Sequence, residues 1–124
     1  MYELFFQNFN EKVPLTADEE VQIKNYLTPK KLRKKQYLLQ EGDVCKTIAF
    51  IERGALRAYS VDDNGNELII QFDLEGWIIS DLYSFLTGEP ATYNIDAIVD
   101  AELVLISKSA HEGLKWFYPA TFIN

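Results

Sequence analysis

Few side chains in this sequence have chemistry to offer a ligand, and they are spread thinly. Cys45 is the only cysteine and His111 the only histidine. One thiol makes neither an intramolecular disulfide nor a multi-thiolate metal centre, and one imidazole cannot assemble the histidine clusters of zinc and iron sites. Lys46 follows Cys45 directly, but neighbours along a strand point to opposite faces, so the thiol reads as an inert, buried or half-exposed group. His111 reads as a surface residue in the first turn of a helix. Ser80-Asp81, with Thr87 and Thr92, either line a small polar pocket or, in the case of Ser80-Asp81, cap the short helix that follows. Lys30-Lys31-Leu32-Arg33-Lys34-Lys35 is the one concentration of positive charge; it reads as a solvated face or as a patch for an acidic partner.

The elements that must hold these residues are legible from pattern. Thr16-Ala17-Asp18-Glu19 has the form of a capping box and predicts a helix over about 17–27, with Pro29 as its stop. From Gln36 to Ser107 the texture changes to short runs of Ile, Val, Leu, Tyr and Phe punctuated by Gly42, Gly54, Gly65, Gly76 and Gly88, which predicts an antiparallel β-roll over about 36–107. Asp62-Asp63-Asn64-Gly65-Asn66 predicts a tight hairpin in which Asn-Gly supplies the positive φ angles. The nearly continuous apolar run Ile48–Ile51 predicts a strand covered on both faces. Leu82–Leu86 predicts a short helix, and Tyr93–Val99 and Glu102–Ile106 predict two closing strands joined at Asp100-Ala101. A C-terminal helix is expected over about 109–118, with Ser109 as its cap and Pro119 as its break, and it should pack near the N-terminal helix.

With 124 residues and 48% hydrophobic content the chain is sized for a single domain, 1–124, with a real core. A formal charge of -7 excludes a strong grip on a phosphate backbone by this segment. The N-terminus, broken by Gln7, Asn8 and Asn10, is no export signal, and no apolar run is long enough to cross a bilayer, so a cytoplasmic protein without membrane contact is expected. Trp116, Phe117, Tyr118, Phe122 and Ile123 form an aromatic tail with nothing after it to cover it, which points to a truncated chain or a dimer contact.

Glu41-Gly42-Asp43, followed by Ile48-Ala49-Phe50-Ile51-Glu52-Arg53-Gly54-Ala55, resembles the sensor domains of Crp/Fnr regulators, where "EGD" precedes an apolar strand and then glycine plus a small residue. Gly76-Trp77-Ile78-Ile79 resembles that family's step into its ligand cassette. The likeness runs from about Thr16 to Ile123. It implies a mainly β fold, a double-stranded β-helix or jelly roll of about eight strands, with flanking short α-helices.

The resemblance also implies a cyclic-nucleotide site: a glycine and glutamate, then "RSA", with the glutamate on the ribose and the arginine on the phosphate. In register, Ser80 and Asp81 stand at the glycine and glutamate, Leu82 follows, and Ala91 and Thr92 stand at the arginine and serine. No arginine follows Arg57. A buried phosphate without that cation loses its charge-assisted hydrogen bonds and keeps its desolvation cost. The expectation is therefore a regulatory sensor that does not bind cyclic AMP in the usual way, is not an enzyme, and has no catalytic residue, metal or cofactor. Its partners would be an unidentified small-molecule effector, a second copy joined through the C-terminal segment, and DNA only through a C-terminal domain not present in this chain. Two alternatives share the architecture: a cupin-like enzyme, which would need about three metal ligands, and a stand-alone protein-interaction module.

Overall fold

The Thr16 hydroxyl accepts the Glu19 N–H at 3.2 Å and the Glu19 carboxylate accepts the Thr16 N–H at 3.0 Å, so the capping box forms as the sequence predicts. It starts α2, Ala17–Lys24, in the computed structural model, which describes residues 2–117, with side chains through residue 114. A helix precedes it: α1, Glu3–Lys12, where only the absence of an export signal had been read. Phe5, Phe6 and Phe9 recur at helical spacing and are buried, and Phe5 meets Phe50 edge-on at 5.3 Å. The Glu52 carboxylate accepts the N–H groups of Leu4 and Phe5 at 2.7 and 3.0 Å, which ties the start of α1 to the sheet below it.

Eight strands follow: β1 Thr28–Leu32, β2 Tyr37–Leu39, β3 Thr47–Arg53, β4 Ala55–Val61, β5 Glu67–Leu74, β6 Ile78–Ile79, β7 Asn94–Ala97 and β8 Ala101–Ser107. They make two antiparallel four-stranded sheets, β1-β8-β3-β6 and β2-β7-β4-β5, packed face to face as a roll. The core between them includes Ile51, Leu56, Ile95 and Leu103, all essentially inaccessible. β3 is buried on both faces as its apolar run predicts, because α1 covers the side turned away from β4. Leu82–Thr87 forms the short helix α3, and Lys108–Phe117 forms α4.

Several expectations need correction. The roll starts before residue 36, since Thr28–Leu32 of the basic run pairs with β8 as an edge strand that buries only Leu32. β7 and β8 do not pair as a hairpin: they lie in different sheets, and the segment between them crosses the roll. The β4–β5 turn has positive φ only at Gly65; Asn64 is not left-handed, and the Asp62 carboxylate instead takes the N–H groups of Asn64 and Asn66, both at 2.9 Å. His111 is buried, its ring edge-on to Phe85 at 5.8 Å, because α4 packs against α3 and β8. Tyr26, just past α2, lies against Gly113 of α4, as expected for the two helical ends. The side chains of the aromatic tail lie outside the described residues.

At Gly54 the chain turns from one sheet to the other. Its φ is +97°, and a Cβ there would sit 2.6 Å from the Asp100 carbonyl oxygen, so only glycine fits.

Candidate ligand-sensing site

α3 and the segments beside it are fastened to the roll by hydrogen bonds that use up most of their polar groups. Asp81 is buried and caps α3, accepting the Ser84 N–H at 3.1 Å, and Gly88 closes the helix in the left-handed conformation. Ser84 is fully buried. Its hydroxyl accepts the Cys45 N–H at 2.8 Å and donates to the Glu89 carbonyl at 2.6 Å. The Ser80 hydroxyl donates to the Thr47 carbonyl at 3.1 Å, and its backbone carbonyl accepts the Tyr93 hydroxyl at 3.2 Å. Ala91 is buried and clamps the Glu41-Gly42-Asp43 turn: its N–H donates to the Asp43 carbonyl and its carbonyl accepts the Gly42 N–H, each at 2.8 Å.

Of the residues singled out in the sequence, Ser80, Asp81 and Ala91 are thus drawn into the packed base of this site, whereas Leu82 and Thr92 are exposed. Thr87 is also exposed and bonds the Tyr83 carbonyl at the far end of α3, so Asp81, Thr87 and Thr92 do not form a shared pocket. Capping is the work of Asp81; Ser80 has a different task, anchoring β6 to the start of β3. Cys45 is buried, with its thiol donating to the Thr47 carbonyl at 3.3 Å.

The electrostatics are one-sided. Residues 58–107, from mid-β4 to the end of β8, contain ten carboxylates and no Lys, Arg or His. Arg57, the last arginine, alternates with the core residues Leu56 and Ala58 and so lies on the other face of its sheet. There it is held by Asp96 at 2.8 Å and Glu67 at 3.1 Å and stacks on Tyr59 at 4.1 Å.

Sequence reading passed over Asp73, which is 1% exposed on β5. One of its oxygens accepts from the Gln71 amide; the other has no hydrogen-bond partner among the described residues. Burial pushes its carboxyl above the usual carboxylate range, and the Gln71 bond only partly opposes this. Burial also pushes the Tyr93 phenol up to about 12, with Asp81, Cys45 and Asp73 adding to the effect. An isolated Asp in a strand of exposed apolar residues was the available signal. The described residues hold no group of three His, Cys, Asp or Glu able to bind a metal. Nor does any described helix have the length and apolarity to cross a membrane.

A two-sheet antiparallel roll that carries one capped helix between β6 and β7, sealed against the strands on either side, is a sensor-module architecture of the cyclic-nucleotide-binding type. The family model for the cyclic nucleotide-binding domain matches residues 29–114, and the chain belongs to that family. Solved structures agree on the fold. The catabolite activator protein of Thermus thermophilus superposes with a TM-score of 0.74 at 16% identity over 90% of this chain. The sensor domain of the transcriptional regulator DNR from Pseudomonas aeruginosa gives 0.72 at 18% identity, covering 90% of this chain and 73% of that one. The regulatory subunit of a cAMP-independent protein kinase A from Trypanosoma brucei gives 0.75 at 19% identity, covering 94% and 42%. The chain spans 51% of the Thermus protein's length. No curated protein matches it in sequence.

Proposed function

We propose that this domain is the sensor of a Crp/Fnr-like bacterial transcription regulator, cytoplasmic and dimeric, whose effector is a small molecule other than cyclic AMP or cyclic GMP. The observation that carries this reading is that residues 58–107 hold no cation; Ala91, which the family resemblance sets in place of the arginine, has its backbone engaged with the Glu41-Gly42-Asp43 turn. A cyclic phosphate brought there would meet no guanidinium from residues 58–107, and no charge-assisted bond from that segment would offset its desolvation. Ser80, Asp81, Leu82, Ala91 and Thr92, the family's ligand positions by resemblance, then offer a cyclic nucleotide no cationic phosphate cradle. DNA is reached through a separate domain of the regulator, in keeping with the acidity of this one.

Support for pairing comes from an exposed apolar band. Leu68, Ile70, Phe72 and Leu74 of β5, with Trp77, Tyr83 and Leu86 nearby in sequence, are each half or more exposed. Patches of that kind mark interfaces, and a second copy would cover this one together with the C-terminal segment.

Thermal denaturation tests the effector reading. A micromolar ligand at millimolar concentration adds about 4 kcal/mol to the folded state, a shift of many degrees. Cyclic AMP and cyclic GMP should leave the transition where it is; a shift of that size with either one would overturn the proposal.

A further inference from the structure

A cavity of about 300 Å³ opens between the two sheets, beside the start of α3. Its inner wall is apolar: Leu39 and Ile95 from one sheet face Ile79 and Leu105 from the other, and all but Leu105 are buried. Most of the polar side chains on that wall are already partnered: the Cys45 thiol and the Ser80 hydroxyl both bond the Thr47 carbonyl, and the Tyr37 hydroxyl meets that of Tyr59 at 3.1 Å, which leaves the Thr47 hydroxyl. Two cations stand at the rim, Lys30 of β1 and Lys46 of the β2–β3 loop. Both are exposed, and neither makes an ion pair among the described residues.

We infer that this cavity binds a medium-chain carboxylate, with the alkyl chain between the sheets and the carboxylate at Lys30 and Lys46. Volume sets the chain length. At about 30 Å³ for each water-sized unit the space holds about ten non-hydrogen atoms, the count of an eight-carbon fatty acid. Wall chemistry sets the class: with the Thr47 hydroxyl as the one side-chain group left to pair, a sugar or nucleoside would bury several unpaired polar groups, whereas an alkyl chain buries none. The head group follows from charge. Lys30 and Lys46 both line this opening without an ion pair among the described residues, and there a carboxylate gains charge-assisted hydrogen bonds. The cavity shares Ser80 with the positions discussed above, while Asp81 and Ala91 do not line it. The inference supplies an effector class for the sensor proposed above and rests on that reading for its biological meaning, but the binding itself does not.

Calorimetric titration of the protein with octanoate, octylamine and butyrate decides it. Octanoate should bind one to one; octylamine should bind at least about tenfold more weakly, the value of one charge-assisted bond, and butyrate on the order of a hundredfold more weakly, the value of four buried methylenes. Lys30→Gln with Lys46→Gln, at exposed positions that hold no hydrogen bond, should weaken octanoate about tenfold while the melting curve stays unchanged. Leu105→Phe, which fills the space from a half-buried position, should abolish binding; its own melting curve reports whether the roll is intact. Absence of octanoate binding by the unsubstituted protein overturns the inference, as does equal binding of octylamine. Neither result touches the exclusion of cyclic nucleotides, which fails only if cyclic AMP or cyclic GMP binds.

Discussion

The Cys45 amide donates to the Ser84 hydroxyl at 2.8 Å, joining the loop that enters β3 to a helix 39 residues further along the chain. Because Ser84 passes the interaction on to the Glu89 carbonyl, one buried hydroxyl holds both the near and far sides of α3. Ser84→Ala leaves a buried N–H and a carbonyl unpaired and should cost about 2–3 kcal/mol. Urea unfolding measures it; a loss under half a kcal/mol, on the scale of an ordinary surface change, would show that α3 is not fastened in this way.

Asp73 gives a pH signature. Its carboxyl is raised in the folded state, so the fold binds a proton more tightly there than the unfolded chain does, and stability falls as pH rises from the unfolded pKa towards the folded one. Above that window the buried carboxylate is a standing cost. Asp73→Asn removes the charge and, with the Gln71 amide turned over, keeps the hydrogen bond; it should stabilise by about 1–2 kcal/mol at pH 7. That gain should fade as the pH falls through the raised folded-state pKa and Asp73 of the parent protein takes up its proton. A gain that persists unchanged at low pH would point to packing rather than charge.

Arg57 and Asp96 form the partly buried ion pair of the roll, 2.8 Å apart. Arg57→Met should destabilise by about 3 kcal/mol because Asp96 is left charged and buried. Adding Asp96→Leu should restore most of it. If the double variant is no more stable than the single one, the cost lies in the stacking of Arg57 on Tyr59 rather than in the stranded carboxylate.

Glycines with similar φ separate two causes of strain. Gly54 and Gly65 are both left-handed, but a Cβ at Gly54 meets the Asp100 carbonyl at 2.6 Å, whereas one at Gly65 meets nothing within 4 Å. Gly65→Ala should cost roughly 1–2 kcal/mol from backbone conformation alone. Gly54→Ala should cost roughly 3–5 kcal/mol, with overpacking added. Equal losses in urea unfolding would mean that the close approach of the two chain segments is not maintained.

Local chemistry was readable in the sequence and crossings were not. The capping box at Thr16, the doubly buried strand at Ile48–Ile51 and the short helix after Asp81 each follow from neighbouring residues, and the structure contains them. Sheet membership of β7 and β8 depends on a crossover that no residue between them announces, and the strand role of Thr28–Leu32 is masked by its lysines, which face water along an edge. His111 looked like a surface residue because its surroundings come from α3, more than twenty positions away. For the candidate site, the absence of any arginine after Arg57 was legible from residue types alone. The satisfied hydrogen bonds of Ser80 and Ser84, and the orphaned oxygen of Asp73, exist only once the sheets close over them.

The proposed reading turns on a cyclic-nucleotide-binding fold whose residues 58–107 offer a cyclic phosphate no cationic side chain. Isothermal titration of the protein with cyclic AMP, run beside the Ala91→Arg variant, tests it most directly. The protein itself should give no binding heat beyond dilution, and the variant, regaining a guanidinium at the cassette, is the one that should gain any measurable affinity. A dissociation constant in the low micromolar range for the unsubstituted protein would contradict the account, because it would require a phosphate anchor that residues 58–107 do not contain.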